Sequence, residues 1–420
     1  MTGPIPNAAL LDPPPMTPAR FASIERDVAR MLGTARDVVL LQAEAILALE
    51  AVARGLGVAG TTCLNVITGP YGAHFGEWLA AGGAEVVDLE IPLERAVRAD
   101  EVAAVLERRP EIAVLSLVHA EVATGTVNPL AEIAAVAREH DVLTVVDAVA
   151  SVGGHDLPID ELGLDVVMLG PQKALGGPAG ISMVTVSDRA WAALAAPGGA
   201  SPGPGEARAP AGGPSGSTAP APASSTPTAP ASASSSSTAP APVSTGLAPW
   251  RGSILSLLDW KERWIDAGRS AIPGTPAVLE LLALEAGCAR VLAEGVGAGI
   301  ARHARISAAC RAGVRALGVE PWVASDGEAC ALTTAVRLPA GVDRAALADR
   351  ARDAYGVALT PGGGTLRDVM VRIDHMGPAA EPRTALAGVA ALGGALADLG
   401  VQVDVGAGVA ATVAALAASA

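Results

Sequence analysis

The sequence predicts an α/β protein, with a mainly parallel, doubly wound sheet in a large domain and a smaller α/β domain at the C-terminus. Two features carry that reading. Short runs that are apolar almost throughout, such as VVLL at 38–41, IAVLSLV at 112–118 and VVML at 166–169, have the length of strands without polar alternation, as strands covered on both faces do. Between them lie roughly ten-residue stretches of helical spacing, and such alternation makes neighbouring strands parallel, joined by crossover helices. At 420 residues, half of them apolar, the chain exceeds one average domain and can bury a large core. Sites in these sheets lie at the C-terminal ends of the strands.

The elements follow in order. Residues 1–16 are proline-rich and read as an extended N-terminal arm, and 17–274 as the large domain. A first helix starts at Thr17-Pro18, a cap followed by a first-turn proline. Strand 38–41 runs through Gln42-Ala43-Glu44-Ala45 into a helix spanning 43–54. Strand 62–67 leads into Thr68-Gly69-Pro70-Tyr71, a helix and strand 85–89; Tyr71 is one of two tyrosines. Strand 112–118 is followed by His119-Ala120-Glu121-Val122-Ala123-Thr124-Gly125, and a helix leads to the strand that ends in Asp147. His119 reads as a core or loop histidine before it reads as a proton relay.

Residues 197–249 break the pattern. Pro, Ala, Ser, Thr and Gly dominate, Glu206 and Arg208 are the only charges, and such a composition cannot offset the entropy of ordering. The segment reads as a disordered insertion, a surface excursion within the large domain. Beyond it, 255–267 and 276–294 have helical spacing, the second entered at Thr275-Pro276. Residues 275–420 read as the small domain, with a helix from about 301 and strands near 332–336, 357–360 and 370–373.

The stretch 145–180, VVDAVASVGGHDLPIDELGLDVVMLGPQKALGGPAG, is where chemistry is concentrated. Lys173 stands between a buried strand and a Gly-Gly turn, a place where an unpaired ammonium is costly without a role. A lysine amine that bonds the aldehyde of pyridoxal, with the strand-end carboxylate of Asp147 holding the pyridine nitrogen protonated, supplies one. Glu44 puts a carboxylate in the first turn of a helix whose N-terminus would otherwise attract an anion.

Composition narrows the partners. A net charge of −14, with no Lys/Arg-rich run, argues against nucleic acid. Cys63, Cys288, Cys310 and Cys330 have no metal-ligand spacing and read as reduced, buried thiols of a cytoplasmic protein. No signal segment and no run of 18 strongly apolar residues marks a membrane protein.

VVDAVASVGG followed by GPQKALGGPAG resembles the class V aminotransferases of the fold-type I pyridoxal enzymes, from about Val38 to the end of the chain with one interruption. The resemblance implies the fold-type I aminotransferase fold and small-molecule substrates. It gives Lys173 the bond to the B6 aldehyde and Asp147 the pyridine nitrogen. Tyr71 would stack on one face of the ring and Val149 on the other. Where the family has Thr or Ser this chain has Val122 and Ala123, so a hydrogen bond to the ring oxygen falls to Thr124. Arg372, in Val371-Arg372-Ile373-Asp374-His375-Met376-Gly377, would grip the substrate carboxylate, with Asp374 in place of the usual Gly and Gly363 where a second arginine is expected. Thr275 would reach a neighbouring subunit's cofactor site, implying a homodimer or homotetramer. Most relatives carry a Ser-Gly-Thr type turn for a phosphate where this chain has Glu44, whereas the members most similar to it carry Glu and use unphosphorylated B6. The expected reaction is amino transfer between pyridoxamine and a 2-oxo acid, pyruvate giving L-alanine and pyridoxal, as in vitamin B6 degradation. Two other readings stay open: an alanine/serine–glyoxylate type aminotransferase that uses pyridoxal phosphate, and a non-catalytic B6-binding homologue, which would explain Val122, Ala123, Gly363 and Asp374 together.

Overall fold

The computed structural model describes residues 12–196 and 249–418. The insertion expected at 197–249 therefore lies, but for its last residue, outside the described residues, as do residues 1–11 of the expected arm. Of that arm, Met16 is buried against the core.

Helix α1 (Pro18–Leu32) starts where the Thr17 hydroxyl accepts the Arg20 N–H at 3.2 Å, and ends at Gly33 with φ +63°, a left-handed position that suits glycine. Strand β1 (Val38–Leu41) is buried on both faces and leads to α2 (Ala45–Leu56). Then come β2 (Thr62–Ile67), α3 (Pro70–Ala81), β3 (Glu85–Glu90), α4 (Ala99–Arg108) and β4 (Ile112–Val118). A two-stranded ribbon, β5 (Ala120–Glu121) and β6 (Thr126–Val127), precedes α5 (Leu130–Glu139), β7 (Leu143–Asp147), α6 (Ile159–Leu162), β8 (Val166–Leu169), β9 (Ser182–Val186) and α7 (Asp188–Ala195).

The large sheet has the order β1-β9-β8-β7-β4-β2-β3. Its β2–β3, β2–β4, β4–β7 and β7–β8 pairs are parallel, and β9 runs against both neighbours. Register aligns Val118 with Asp147 and Asp147 with Met168, so the ends of β4, β7 and β8 lie side by side. That alignment brings the loops holding Asp147 and Lys173 to one edge. Neither β9 nor the β5–β6 ribbon stands out in the sequence: Ser182 and Thr185 interrupt the apolar run of β9, and the ribbon strands are two residues each.

After the insertion, α8 (Leu257–Trp260) continues through a π-helical turn, Lys261–Ile265, where the sequence predicts one regular helix. Trp264 packs edge-on to Phe21, with centroids 5.2 Å apart, and its indole N–H donates to Glu25 at 2.7 Å. This part of the chain is thereby sewn to α1. Helix α9 (Val278–Glu294) buries Leu281, Leu284, Cys288 and Val291 in the large core. The boundary expected after residue 274 therefore falls later, and the second core starts with α10 (Val296–Ala316).

That core lies between an antiparallel sheet of order β10-β12-β11 and its helices: β10 (Thr333–Arg337), α11 (Arg344–Tyr355), β11 (Thr360–Pro361), β12 (Met370–Asp374), α12 (Pro382–Asp398) and α13 (Val405–Ala418). The strand expected at 357–360 is reduced to Thr360–Pro361, and Pro361, which has no N–H for the ladder, ends it. Among the described residues no helix is long and apolar enough to cross a membrane.

Candidate active site

The ends of β4, β7 and β8 and the first turns of α2 and α3 enclose a cavity of about 110 Å³, whose wall includes Glu44, Tyr71, Asp147, Val149, Gln172 and Lys173. Asp147 closes β7 and is nearly buried; its Oδ1 accepts the Val149 N–H at 2.9 Å, which turns the chain so that Val149 also faces the cavity. Burial raises the Asp147 carboxyl to about 6, while the charge of Lys173 pulls the other way. Lys173 follows β8 through Gly170-Pro171-Gln172, and a Cβ on residue 170 would lie 2.8 Å from Val149 Cγ1. Only glycine lets this loop approach the Asp147 loop so closely.

Glu44 caps α2, its Oε2 accepting the Ile46 N–H at 2.8 Å, and its Oε1 accepts the Gln172 side-chain N–H at 3.0 Å. One of the donors that an anion at this helix start would use, the Ile46 N–H, is thus already engaged. The Gln172 Oε1 is buried without a partner. Tyr71, in the first turn of α3, is 39% exposed, and burial followed by the charges of Glu121 and Asp147 raises its hydroxyl pKa.

Arg372, on β12 of the small domain, reaches across to the Val122 carbonyl, with Nη1 donating at 2.7 Å; Val122 belongs to the cavity wall. Its Nε has no hydrogen-bond partner and lies 3.8 Å from Asp374 Oδ1. The Asp374 carboxylate is held in turn by the Thr333 and Thr360 hydroxyls at 2.7 and 2.6 Å.

Two expected residues stand elsewhere. Thr124 is buried, its hydroxyl shared with the Glu121 carbonyl at 3.3 Å and the Thr126 hydroxyl at 2.8 Å, and the wall beside β5 is made by apolar Ala120 and Val122. The ribbon turn directs Thr124 into its own hydrogen bonds, so the ring-oxygen role expected of it is not placed at the cavity. Thr275 is exposed in the loop ahead of α9, outside the cavity of its own chain, with the nearby Ala277 N–H donating to Gln42. His119 is buried against His155 and held to about 3 by burial, which keeps it neutral. Reading the sequence left Glu121 and Gln172 without roles; a lone carboxylate inside the apolar run before Gly125 was the available signal for the first.

An amine, a strand-end carboxylate and an aromatic and aliphatic wall form the donor set that a pyridoxal-type ring requires, and the cavity fits that group. Mounted at the strand ends of a mainly parallel sheet with a small C-terminal domain, they define a fold-type I aminotransferase. The family described as aminotransferase class-V matches residues 16–202. The pyridoxamine–pyruvate transaminase of Mesorhizobium japonicum is 35% identical over 376 residues, which cover 90% of this chain and 83% of that protein. An L-aspartate–glyoxylate aminotransferase of Paracoccus denitrificans is 29% identical over 338 residues, 78% and 70% of the two chains. The crystal structure of pyridoxamine–pyruvate aminotransferase from Mesorhizobium loti superposes with a TM-score of 0.81 at 33% identity, covering 96% of this chain and 90% of that one. The chain belongs to the class V aminotransferase family, and it is an enzyme of the transaminase type.

Proposed function

We propose that this aminotransferase moves the amino group of pyridoxamine to a 2-oxo acid, pyruvate giving L-alanine, and releases pyridoxal. The observation that carries the choice of B6 form is Glu44, whose carboxylate occupies the start of α2 at the cavity wall. The pyridine ring, when bound, withdraws electrons from the carbon that exchanges the amino group. Lys173 Nζ would hold pyridoxal and, once released from it, would carry a proton between the C4′ carbon of the B6 substrate and the amino-acid Cα. Asp147 keeps the ring nitrogen protonated, and in doing so becomes the ionised member of a buried pair. Tyr71 and Val149 hold the ring flat between them, a stack contributing about 1 kcal/mol. Arg372 takes the 2-oxo acid carboxylate, trading the Val122 carbonyl for a charged partner.

The same reading includes self-association as a homodimer or homotetramer, with exposed Thr275 offered to a neighbour's site, and action in the cytoplasm on vitamin B6 breakdown. The buried free thiols accord with a reducing compartment. Incubation with pyridoxamine and pyruvate should yield equal amounts of pyridoxal and alanine, and Lys173→Ala should abolish this. Turnover only with pyridoxal phosphate and an amino acid–glyoxylate pair would replace it with the phosphate-dependent reading, and B6 binding without turnover would leave a non-catalytic homologue.

A further inference from the structure

We infer that Glu121 is a positioning residue for the aromatic wall of the cavity: from β5 its buried carboxyl group packs against the start of α3, the turn that carries Tyr71. The inference rests on the B6 reading above and extends it to a residue that does not line the cavity. Helix α3 begins at Gly69, which has no side chain to cap the free N–H groups of the first turn. The Glu121 carboxyl group lies against that turn from another element. It is fully buried, its Oε1 accepts the Ala123 N–H at 3.2 Å, and its carboxyl lies against Gly69 at the start of α3. A Cβ on residue 69 would sit inside the Glu121 carboxyl group, so the glycine is what allows β5 and the helix start to meet. The anchor itself is firm, since Glu121 pairs with Thr126 in the ribbon and the next carbonyl, of Val122, receives Arg372.

The second oxygen, Oε2, is buried without a partner. Burial, followed by the charge of Asp147, raises the Glu121 carboxyl to about 8, so it is mainly neutral at pH 7. Glutamine therefore matches it in shape and charge, whereas aspartate, one methylene shorter, falls short of Gly69 at the helix start.

The test is a titration with pyridoxal of the wild type, E121Q, E121D, E121A, Y71A and the double variants E121A/Y71A and E121A/V149A. E121A should weaken binding about fivefold, the fold-change that loss of one aromatic stack represents. E121Q should restore it and E121D should not. In the Y71A background E121A should cost nothing more, and in the V149A background its cost should add. An equal cost of E121A with and without Tyr71 overturns the inference; if E121A does not fold, equal binding by E121Q and E121D overturns it. A wild type that binds neither pyridoxal nor its phosphate overturns the B6 reading itself, a separate failure.

Discussion

Replacing Glu44 with serine separates two things that this side chain does. Serine is as good an N-cap as a carboxylate, so α2 keeps a partner for its first-turn N–H groups while the charge is lost. In the wild type Glu44 Oε2 lies 2.8 Å from the Ile46 nitrogen and Oε1 lies 3.0 Å from the Gln172 side-chain nitrogen. A phosphate brought to the same helix start would stand about 4 Å from that carboxylate, where two unit charges repel by roughly 4 kcal/mol at an effective dielectric near 20. Glu44 is half-buried, and solvent screening brings this to roughly 2 kcal/mol, still more than tenfold in affinity. The neutral hydroxymethyl of pyridoxal instead donates a hydrogen bond to the carboxylate. Absorbance titrations of wild type and E44S with pyridoxal and with pyridoxal phosphate measure the preference directly. E44S should invert it, gaining at least tenfold for the phosphate and losing for pyridoxal. Equal affinity of the wild type for both vitamers would reduce Glu44 to a helix cap and refute the argument.

Because Glu44 holds the amide nitrogen of Gln172, E44S frees that donor for a phosphate; E44S/Q172A should recover less pyridoxal phosphate affinity than E44S, and equal affinities would show that Gln172 plays no part. Asp374, 3.8 Å from Arg372, partly neutralises the guanidinium, so D374G should lower the KM for pyruvate severalfold while lowering the melting temperature, since the Thr333 and Thr360 hydroxyls lose their acceptor. Steady-state kinetics showing an unchanged KM would remove that role. Burial raises Glu121 to about 8, Glu25 to about 7 and Asp147 to about 6, so in the folded chain these groups hold protons that the unfolded chain has released. Their contribution to stability is complete below the usual carboxyl range, near 4, and is lost as pH rises through these values. The melting temperature of the ligand-free protein should fall from pH 6 to above pH 8, and E121Q should fall less; parallel curves would show that Glu121 ionises as freely as in the unfolded chain.

Much of the fold was legible because its signals are local. Nearly continuous apolar runs at Val38–Leu41, Ile112–Val118 and Val166–Leu169 can be satisfied only by strands covered on both sides, and all three are strands of the large sheet. Lys173, Asp147 and Glu44 drew attention for the same reason, as charged groups where charge is costly or already compensated. Only the tertiary structure decided which of them meet: strand order and register bring the ends of β4, β7 and β8 together, and no local pattern encodes that pairing. It also separated Thr124 from the cavity, since the turn of a two-residue ribbon chooses which side of the chain each hydroxyl faces. Glu121 acquired its place entirely from contacts between β5 and the start of α3, about 50 residues apart in the chain. A buried carboxyl is recognised by what surrounds it, and those surroundings exist only once distant segments have packed.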